Sequence, residues 1–375
     1  MTRKKKVGII TFHASHNYGS MLQAYALQQT VLNMGYDCEI INFRTKLQRK
    51  SYQLPLIYGT LKGRIKRTFL YAPYLLSLNK QYRLFELFLN KKYHLSSKEY
   101  TTLEELKQNI LGYDIYISGS DQIWNTSCFD FDWAYFLPFA GHVRRIAYAP
   151  SMGAKPFRSI NNEDTSKKIA ELLSYYDYIS VREQQTKNKI AQLTNLNCAV
   201  TLDPTLLIKP EIWNKMAGNV PLVSGDYIFL YTPWFNEAVY TEAERISKEL
   251  NMPVVISHLH KEWKYNRNII FKSYRCHLAT GPIEFLNLCK FAVFSIGHSF
   301  HLSVFSILLR TPFYIINGME DSRIRDLLVL TKLEHLGRKP QQGHDIIPSI
   351  DFNDAHNRIE KARAQSLEWL HKSLS

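Results

Sequence analysis

Two residues in this chain have the side chains that group transfer demands, and each lies just beyond an apolar run. Arg182 and Glu183 close "YISVRE", and His301 opens the apolar "HLSVFSILL" after the turn "GHSF". A guanidinium at a strand end clamps a carboxylate or phosphate through two parallel N–H bonds; the alternative is a pair with a neighbouring acid. An imidazole in the first turn of a helix feels the positive end of the helix field, which favours a neutral ring and so a base. A bound phosphorylated acid favours the protonated ring and so an acid. The residue types leave both roles open. Arg323 and Arg325, in "MEDSRIRDLL", are further cations, with Glu320, Asp321 and Asp326 beside them as salt-bridge partners.

Other polar turns also follow apolar runs. In "HASHNYGSMLQ", His13, His16 and Asn17 are candidate ligand contacts, with Tyr18 and Gly19 between them and the helix that follows. Ser20 and Gln23 form an S-x-x-Q capping box, which predicts a helix starting after Gly19 with its free N–H groups facing the loop. The turn "SGSDQIWN" supplies Ser120, Asp121, Gln122 and Trp124: hydrogen-bonding groups and a stacking face that suit a carbohydrate better than a phosphate. Asp121 has a structural alternative as a helix cap. "YAPSMG" adds Ser151 at one more small-residue strand end.

The elements that must position these groups alternate between short apolar runs and amphipathic stretches, the pattern of parallel strands joined by crossover helices. Strands are predicted at "VGIITF", "DCEIINF", "YDIYISG", "RRIAYAP", "YDYISVR" and "CAVTLDP". After the Pro- and Gly-punctuated "KPEIWNKMAGNVPLVSGD" the alternation restarts with "YIFLYTP", "MPVVISHL", "FAVFSI" and "PFYIIN". Helices are expected over Ser20–Met34, Glu237–Leu250, Ile283–Lys290 and Phe300–Leu309. A last one carries Ile359, Ala362, Ser366, Trp369 and Leu370 on one face. The fold class is therefore α/β, with an N-terminal domain over residues 1–210 and a C-terminal domain over 211–375. Two such domains facing one another leave a cleft at the carboxyl ends of their strands.

Composition narrows the function classes. With 375 residues, 45% of them hydrophobic, the chain has material for real cores. Five widely spaced cysteines without metal-ligand spacing read as reduced thiols, and the charged start "MTRKKK" lacks a signal-peptide core, so a cytoplasmic protein is expected. No metal is expected. The uncharged stretch Phe291–Leu309 is broken by Gly297, His298 and His301, which argues against a membrane span. The net charge of +14 is uneven: residues 42–100 carry thirteen Lys and Arg against Glu86 and Glu99, interleaved with aromatics. This basic aromatic insertion, about 44–100, is either a helical insertion packed by its aromatics or a face for an anionic membrane surface. Nucleic acid is not the expected partner.

Seven stretches, taken in order, resemble the polysaccharide pyruvyl transferase family: "NYGSMLQAYAL", "GSDQIWN", "YAPSMG", "ISVRE", "LDPTLL", "GPIEFLNLCKFAVFSIGHSFHLSVFSILLRTPF" and "DSRIRDLL". The resemblance implies two Rossmann-like domains in a glycosyltransferase-B-like arrangement. It implies phosphoenolpyruvate as donor and, as acceptor, a sugar of a bacterial surface polysaccharide or its lipid-linked precursor, joined as a ketal with release of phosphate and without a cofactor. By position His301 and Arg182 are the catalytic pair, and Asn17, Asp121 and Gln122 fix the sugar. The family's second phosphate arginine has no counterpart: Ser299 stands there, Leu302 replaces a common glycine, and Arg323 is the candidate substitute. A lipid-linked acceptor also gives the basic insertion a purpose, at the inner face of the cell membrane. The alternatives are a glycosyltransferase using a nucleotide sugar on the same scaffold, or a non-catalytic polysaccharide-binding relative.

Overall fold

The computed structural model describes residues 3–52, 71–109, 111–154, 163–260, 274–342 and 346–375. They form two parallel sheets with helices against them, the α/β class that the alternation of runs implies. The first sheet holds β1 (Lys6–Ile10), β2 (Asp37–Phe43), β3 (Leu95–Tyr100), β4 (Ile115–Ser118), β5 (Arg144–Ala147), β6 (Tyr178–Val181) and β7 (Ala199–Val200), in the order β3-β2-β1-β4-β5-β6-β7. The second holds β8 (Ile228–Tyr231), β9 (Val254–Ile256), β10 (Arg275–Cys276), β11 (Phe294–Gly297) and β12 (Phe313–Ile315), in the order β10-β9-β8-β11-β12. Strand order reverses between β1 and β4, and again between β8 and β11, so crevices open beyond the carboxyl ends of those strands. The loops after β1, β4 and β11 are the ones that carry Asn17, Asp121 and Ser299.

β3 and β10 are not evident in the sequence. Both are edge strands; "LSSKEY" keeps only Tyr100 buried, and β10 has two residues, so neither shows an apolar run. The stretch Phe291–Leu309 resolves into β11 and a helix over Phe300–Leu309, joined at His298–Ser299. Among the described residues no helix is long and apolar enough to cross a membrane.

The helices that position the site are α1 (Tyr18–Asn33), α2 (Leu75–Lys92), α3 (Gln184–Leu193), α4 (Pro210–Ala217), α5 (Pro282–Phe291), α6 (Phe300–Leu309), α7 (Ser322–Thr331) and α8 (Phe352–Leu374). One apolar core runs from Val7 and Ile117 in the first sheet through α1 to Phe229 and Ile296 in the second. The described part of the basic insertion packs by its aromatics: Phe85, Phe88 and Leu89 of α2 are buried, and Phe85 stacks on Tyr18 at 5.3 Å. Lys62, Arg64, Lys66 and Arg67 lie outside the described residues. At the other end of the chain, α8 crosses back to the first sheet. Its Trp369 packs 6.1 Å from Tyr148 and 6.4 Å from Tyr178. Arg363 Nε donates to the Leu206 carbonyl at 2.6 Å and Ser366 Oγ accepts the Leu202 N–H at 3.0 Å, so the last helix pins the segment after β7.

Candidate active site

The helix after the first turn starts earlier than its capping box implies. Asn17, extended at φ −127° and ψ 127°, is the N-cap, and its side chain accepts the N–H groups of Gly19 and Ser20 at 3.0 and 3.2 Å. Gln23 is drawn into tertiary contacts instead: Nε2 donates to Thr11 Oγ1 at 2.9 Å and Oε1 accepts the Ser120 N–H at 3.2 Å. Two of the donors expected to face an anion are thus satisfied within the chain. Ser20 has a different partner, donating to Asp121 Oδ2 at 2.5 Å.

From that contact a closed ring of side chains can be followed through five segments. Asp121 lies 3.8 Å from Arg182 Nη2, and Arg182 Nη1 donates to Asp203 Oδ2 at 2.9 Å. The same Asp203 oxygen stands 3.6 Å from His301 Nε2. The imidazole rests on Gly19, where a Cβ would stand 2.0 Å from Nδ1, and Gly19 adjoins Ser20. Arg182, from the end of β6, and His301, from the first turn of α6, therefore meet. They do so across a carboxylate: Asp203 fills the gap expected to receive a small acid directly between them.

Asp203 is the site residue that the sequence reading left without a role. The signal was an acid following the short run "CAVT", at the same strand-end position as Arg182 and Asp121. Phe300 is a second addition, its ring lying 4.5 Å from the Arg182 guanidinium carbon. Glu183 is fully buried, 3.7 Å from Arg182 Nε, and Ser151 donates to its other oxygen at 2.8 Å. Thr186 also donates to Glu183.

Electrostatics distinguish these carboxyls. Burial pushes the Asp203 carboxyl up, but His301 and Arg182 outweigh it and hold the group well below the usual carboxylate range. For Glu183 burial wins, and its carboxyl is raised. Arg182 Nε and Nη2, His301 Nε2 and Glu183 Oε2 are buried without a hydrogen-bond partner. A cluster of donors left over beside one acceptor is an arrangement suited to ligand oxygens.

The remaining candidates divide. Arg323 is clamped by Asp321, Nε at 2.9 Å and Nη2 at 2.5 Å, the local salt bridge that was the alternative to a phosphate clamp. Asp321 is pushed up by burial and pulled down further by Arg323, to about 2. Arg325 is 3.6 Å from Asp326. Ser299 caps α6 by accepting the Leu302 N–H at 3.3 Å. Trp124 offers no stacking face, being fully buried 5.0 Å from Phe136. Tyr18 is stacked on Phe285 at 4.8 Å with its hydroxyl on the Ser257 carbonyl. Ser120 is fully buried and donates to the Ala149 carbonyl at 2.7 Å, while half-buried Gln122 accepts from Asn125 at 3.1 Å. His13 is buried, which lowers it to about 4, and His16, in the loop after β1, packs against the insertion, 2.8 Å from Glu86.

A cleft of about 440 Å³ reaches this ring, with Arg182, Asp203, Phe300 and Arg323 in its wall. Leu202, Leu327, Leu330 and Trp369 supply much of its apolar lining. It is large enough for a small phosphorylated acid and part of a second substrate.

The chain is similar in fold to several solved structures. The UDP-GlcNAc 2-epimerase from Neisseria meningitidis, bound to UDP-GlcNAc, is 9% identical with a TM-score of 0.51, covering 99% of this chain and 93% of that one. The Staphylococcus aureus MnaA structure with UDP is 10% identical with a TM-score of 0.51, covering 96% and 88%. Escherichia coli ADP-heptose lipopolysaccharide heptosyltransferase II is 12% identical with a TM-score of 0.42, covering 96% and 99%. The likeness to the two structures at a TM-score of 0.51 is one of fold, two parallel sheets with alternating helices of the glycosyltransferase-B type. A comparison with curated proteins returns no significant match. The model of the family described as polysaccharide pyruvyl transferase matches residues 17–318, a span that contains the whole Gly19–Ser20–Asp121–Arg182–Asp203–His301 ring, and the chain belongs to that family.

Proposed function

We propose that this protein transfers the pyruvyl group of phosphoenolpyruvate to two hydroxyls of a sugar in a bacterial surface polysaccharide or its lipid-linked precursor. The observation that carries the reading is the convergence of Arg182 and His301, from different sheets, on the same Asp203 oxygen. Protonation of the donor's methylene carbon turns the C=C electron pair into a C–H bond and leaves positive charge on the neighbouring carbon. One sugar hydroxyl adds there and returns its proton to the imidazole. Phosphate then leaves, the second hydroxyl adds, and its proton departs with the phosphate. The chemistry asks for a proton carrier, cations for a compact anion and groups that orient a sugar. His301, the free nitrogens of Arg182 with Arg323 nearby, and Asn17, Asp121 and Gln122 are the respective choices. Because Asp203 holds the space between Arg182 and His301, the donor phosphate is assigned to the cleft side of Arg182.

The test is to incubate the protein with a saccharide acceptor extract and either phosphoenolpyruvate or nucleotide sugars. Acceptor-dependent phosphate release is expected; release of nucleotide instead would make it a glycosyltransferase. His301→Ala is expected to lower turnover by about two powers of ten or more. A variant that keeps full activity would remove the imidazole from the mechanism.

A further inference from the structure

We infer that the outer part of the cleft of about 440 Å³ is a subsite for a neutral sugar ring of the acceptor, next to the ring that receives the pyruvyl group, with Trp369 as its stacking platform. The inference deepens the proposed transfer and rests on it for the identity of that ring as part of an acceptor. A cavity of this size holds a drug-sized molecule, more than the three-carbon donor occupies beside the free nitrogens of Arg182 at the inner end. Asn17, Asp121 and Gln122, assigned to the reacting sugar, do not line the cleft. A ring seated there is therefore a neighbour of the reacting one.

The wall offers a sugar an apolar face, a strip of backbone and a polar rim. Trp369 of α8 is half-buried, with Tyr148 and Tyr178 packed 6.1 and 6.4 Å away, and it opens to the cleft beside Leu327 and Leu330 of α7. A pyranose presents a face of C–H bonds to such a surface, and a rigid indole covers it at little cost in conformational entropy. The backbone strip comes from β7, an edge strand whose Thr201 N–H donates to the Val181 carbonyl at 3.0 Å. Alternate residues of a strand bond to the same neighbour, so the N–H and C=O of Val200 point off the sheet edge. Ser366 of α8 takes the next outward N–H, that of Leu202, at 3.0 Å, which puts the Val200 groups on the cleft side. An aliphatic chain laid there would bury them without partners, whereas sugar hydroxyls pair with them. At the rim Asp326 accepts the Gln184 N–H through Oδ2 at 2.8 Å and keeps Oδ1 for a 3.6 Å contact with Arg325, and Gln365 is exposed. Charge and position argue against other occupants. Arg182 is paired with Asp203 and Arg323 with Asp321, so the outer part carries no surplus positive charge for a uronic acid. β7 lies five strand spacings from β2, about 24 Å at ~4.8 Å each, and it is beside β2 that Arg44 anchors the insertion through Glu86. The tail of a lipid held at the insertion thus lies at the opposite end of the sheet.

Saturation-transfer NMR on the full chain, without donor, tests the subsite. The probes are the methyl glycosides of glucose, galactose and N-acetylglucosamine, with glucuronic acid, UDP and farnesyl phosphate for comparison. At least one neutral glycoside is expected to take up saturation, most strongly through the ring protons of one face. The signal is lost in Trp369→Ala and returns in Trp369→Phe, which keeps an aromatic ring. Gln365→Ala, an exposed change, serves if Trp369→Ala does not fold, and weakens binding by about threefold. Silence of every neutral glycoside overturns the subsite. A Trp369-dependent signal from UDP overturns it in favour of a nucleotide, one from farnesyl phosphate in favour of a lipid, and equal uptake by glucuronic acid overturns its neutrality. In the transfer assay, the acceptor extract is cut by partial acid hydrolysis into size fractions. Trp369→Ala is expected to raise KM for the oligosaccharides about tenfold, or about 1.4 kcal/mol, and to leave KM for phosphoenolpyruvate and for the monosaccharide fraction unchanged. A fall in kcat alike for all fractions, with KM unmoved, would mean a structural role and overturns the stacking assignment. Absence of phosphate release from every fraction with the native chain counts against the transfer itself, whereas the glycoside signals speak only to the cleft.

Discussion

Gly19 shows how one missing side chain joins two parts of the site. At the start of α1, replacing glycine by alanine ordinarily favours the helix, by up to about 1 kcal/mol in a helix interior. Here the added methyl would stand 2.0 Å from His301 Nδ1 and 2.7 Å from its Cβ, so the imidazole must move. Sterics outweigh propensity. Gly19→Ala is expected to fold and to lose about 100-fold in kcat, since displacing a reacting group by ~1 Å costs about that much; assays with phosphoenolpyruvate and a far-ultraviolet spectrum check both halves. Full turnover would show that the ring need not sit where Gly19 admits it. The sequence marks Gly19 as part of a polar turn but cannot show why it is glycine, because its neighbour lies 282 positions along the chain. Asp203 escaped for the same reason: Arg182 becomes its neighbour only when β6 and β7 pair, His301 only when the sheets meet, and a lone acid before proline reads as a cap. Arg182 and His301 were legible because strand ends and first helical turns are local features.

At the scale of elements, α2 acts as a wedge between the sheets, and Glu86 is its polar anchor. Burial raises this carboxyl, but hydrogen bonds from His16 at 2.8 Å and Arg44 at 2.9 Å outweigh it and bring it down to about 2. His16 is itself lowered by burial and so is a neutral ring donating its N–H. A carboxyl with a lower pKa folded than unfolded means that the unfolded chain binds more protons. The stability it contributes is present above the ordinary carboxylate value, about 4.3, and is lost as pH falls toward about 2. Asp203 and Asp321 act with the same sign. The urea midpoint is therefore expected to fall between pH 5 and pH 2. Glu86→Gln should lose about 1–3 kcal/mol at pH 7, where it strands buried donors, and show a flatter acid limb; an equally steep limb would take Glu86 out of the account. Most elements could be read from the apolar runs, and the exceptions have physical causes. β3 and β10 lie at sheet edges where nothing demands an apolar face, and the start of α1 moved because Asn17, as good a cap as Ser20, is the residue left extended.

For the whole molecule, the uneven charge acquires a direction once α2 is seen packed. Its aromatic face and its one acid, Glu86, turn inward. Leu76, Lys80, Arg83, Leu87 and Lys91 recur at helical spacing, and all are exposed, Leu76 by 87% and Leu87 by 46%. This outer stripe is basic and apolar with no acidic member, and it follows in sequence the cations Lys62, Arg64, Lys66 and Arg67. Such a face matches the proposed place at an anionic bilayer, where a lipid-linked acceptor lies. Each Lys or Arg near that surface contributes about 1 kcal/mol, so neutralising Lys80, Arg83 and Lys91 together sets a ceiling of roughly 100-fold on lost partitioning, at about 1.4 kcal/mol per tenfold. The four upstream cations allow about 1,000-fold by the same arithmetic. Co-sedimentation with vesicles of anionic and of neutral lipid separates the contributions: the charge variants should lose binding to anionic vesicles at low salt, where screening is weakest. Leu76→Ser with Leu87→Ser should lose the fraction that survives high salt. Equal recovery of every variant on both vesicle types would make the stripe an ordinary solvated surface, while leaving the chemistry of the Arg182–Asp203–His301 ring untouched, because the ion pairs of that ring are made with Asp121, Glu183 and Asp203 and with no charge of the stripe.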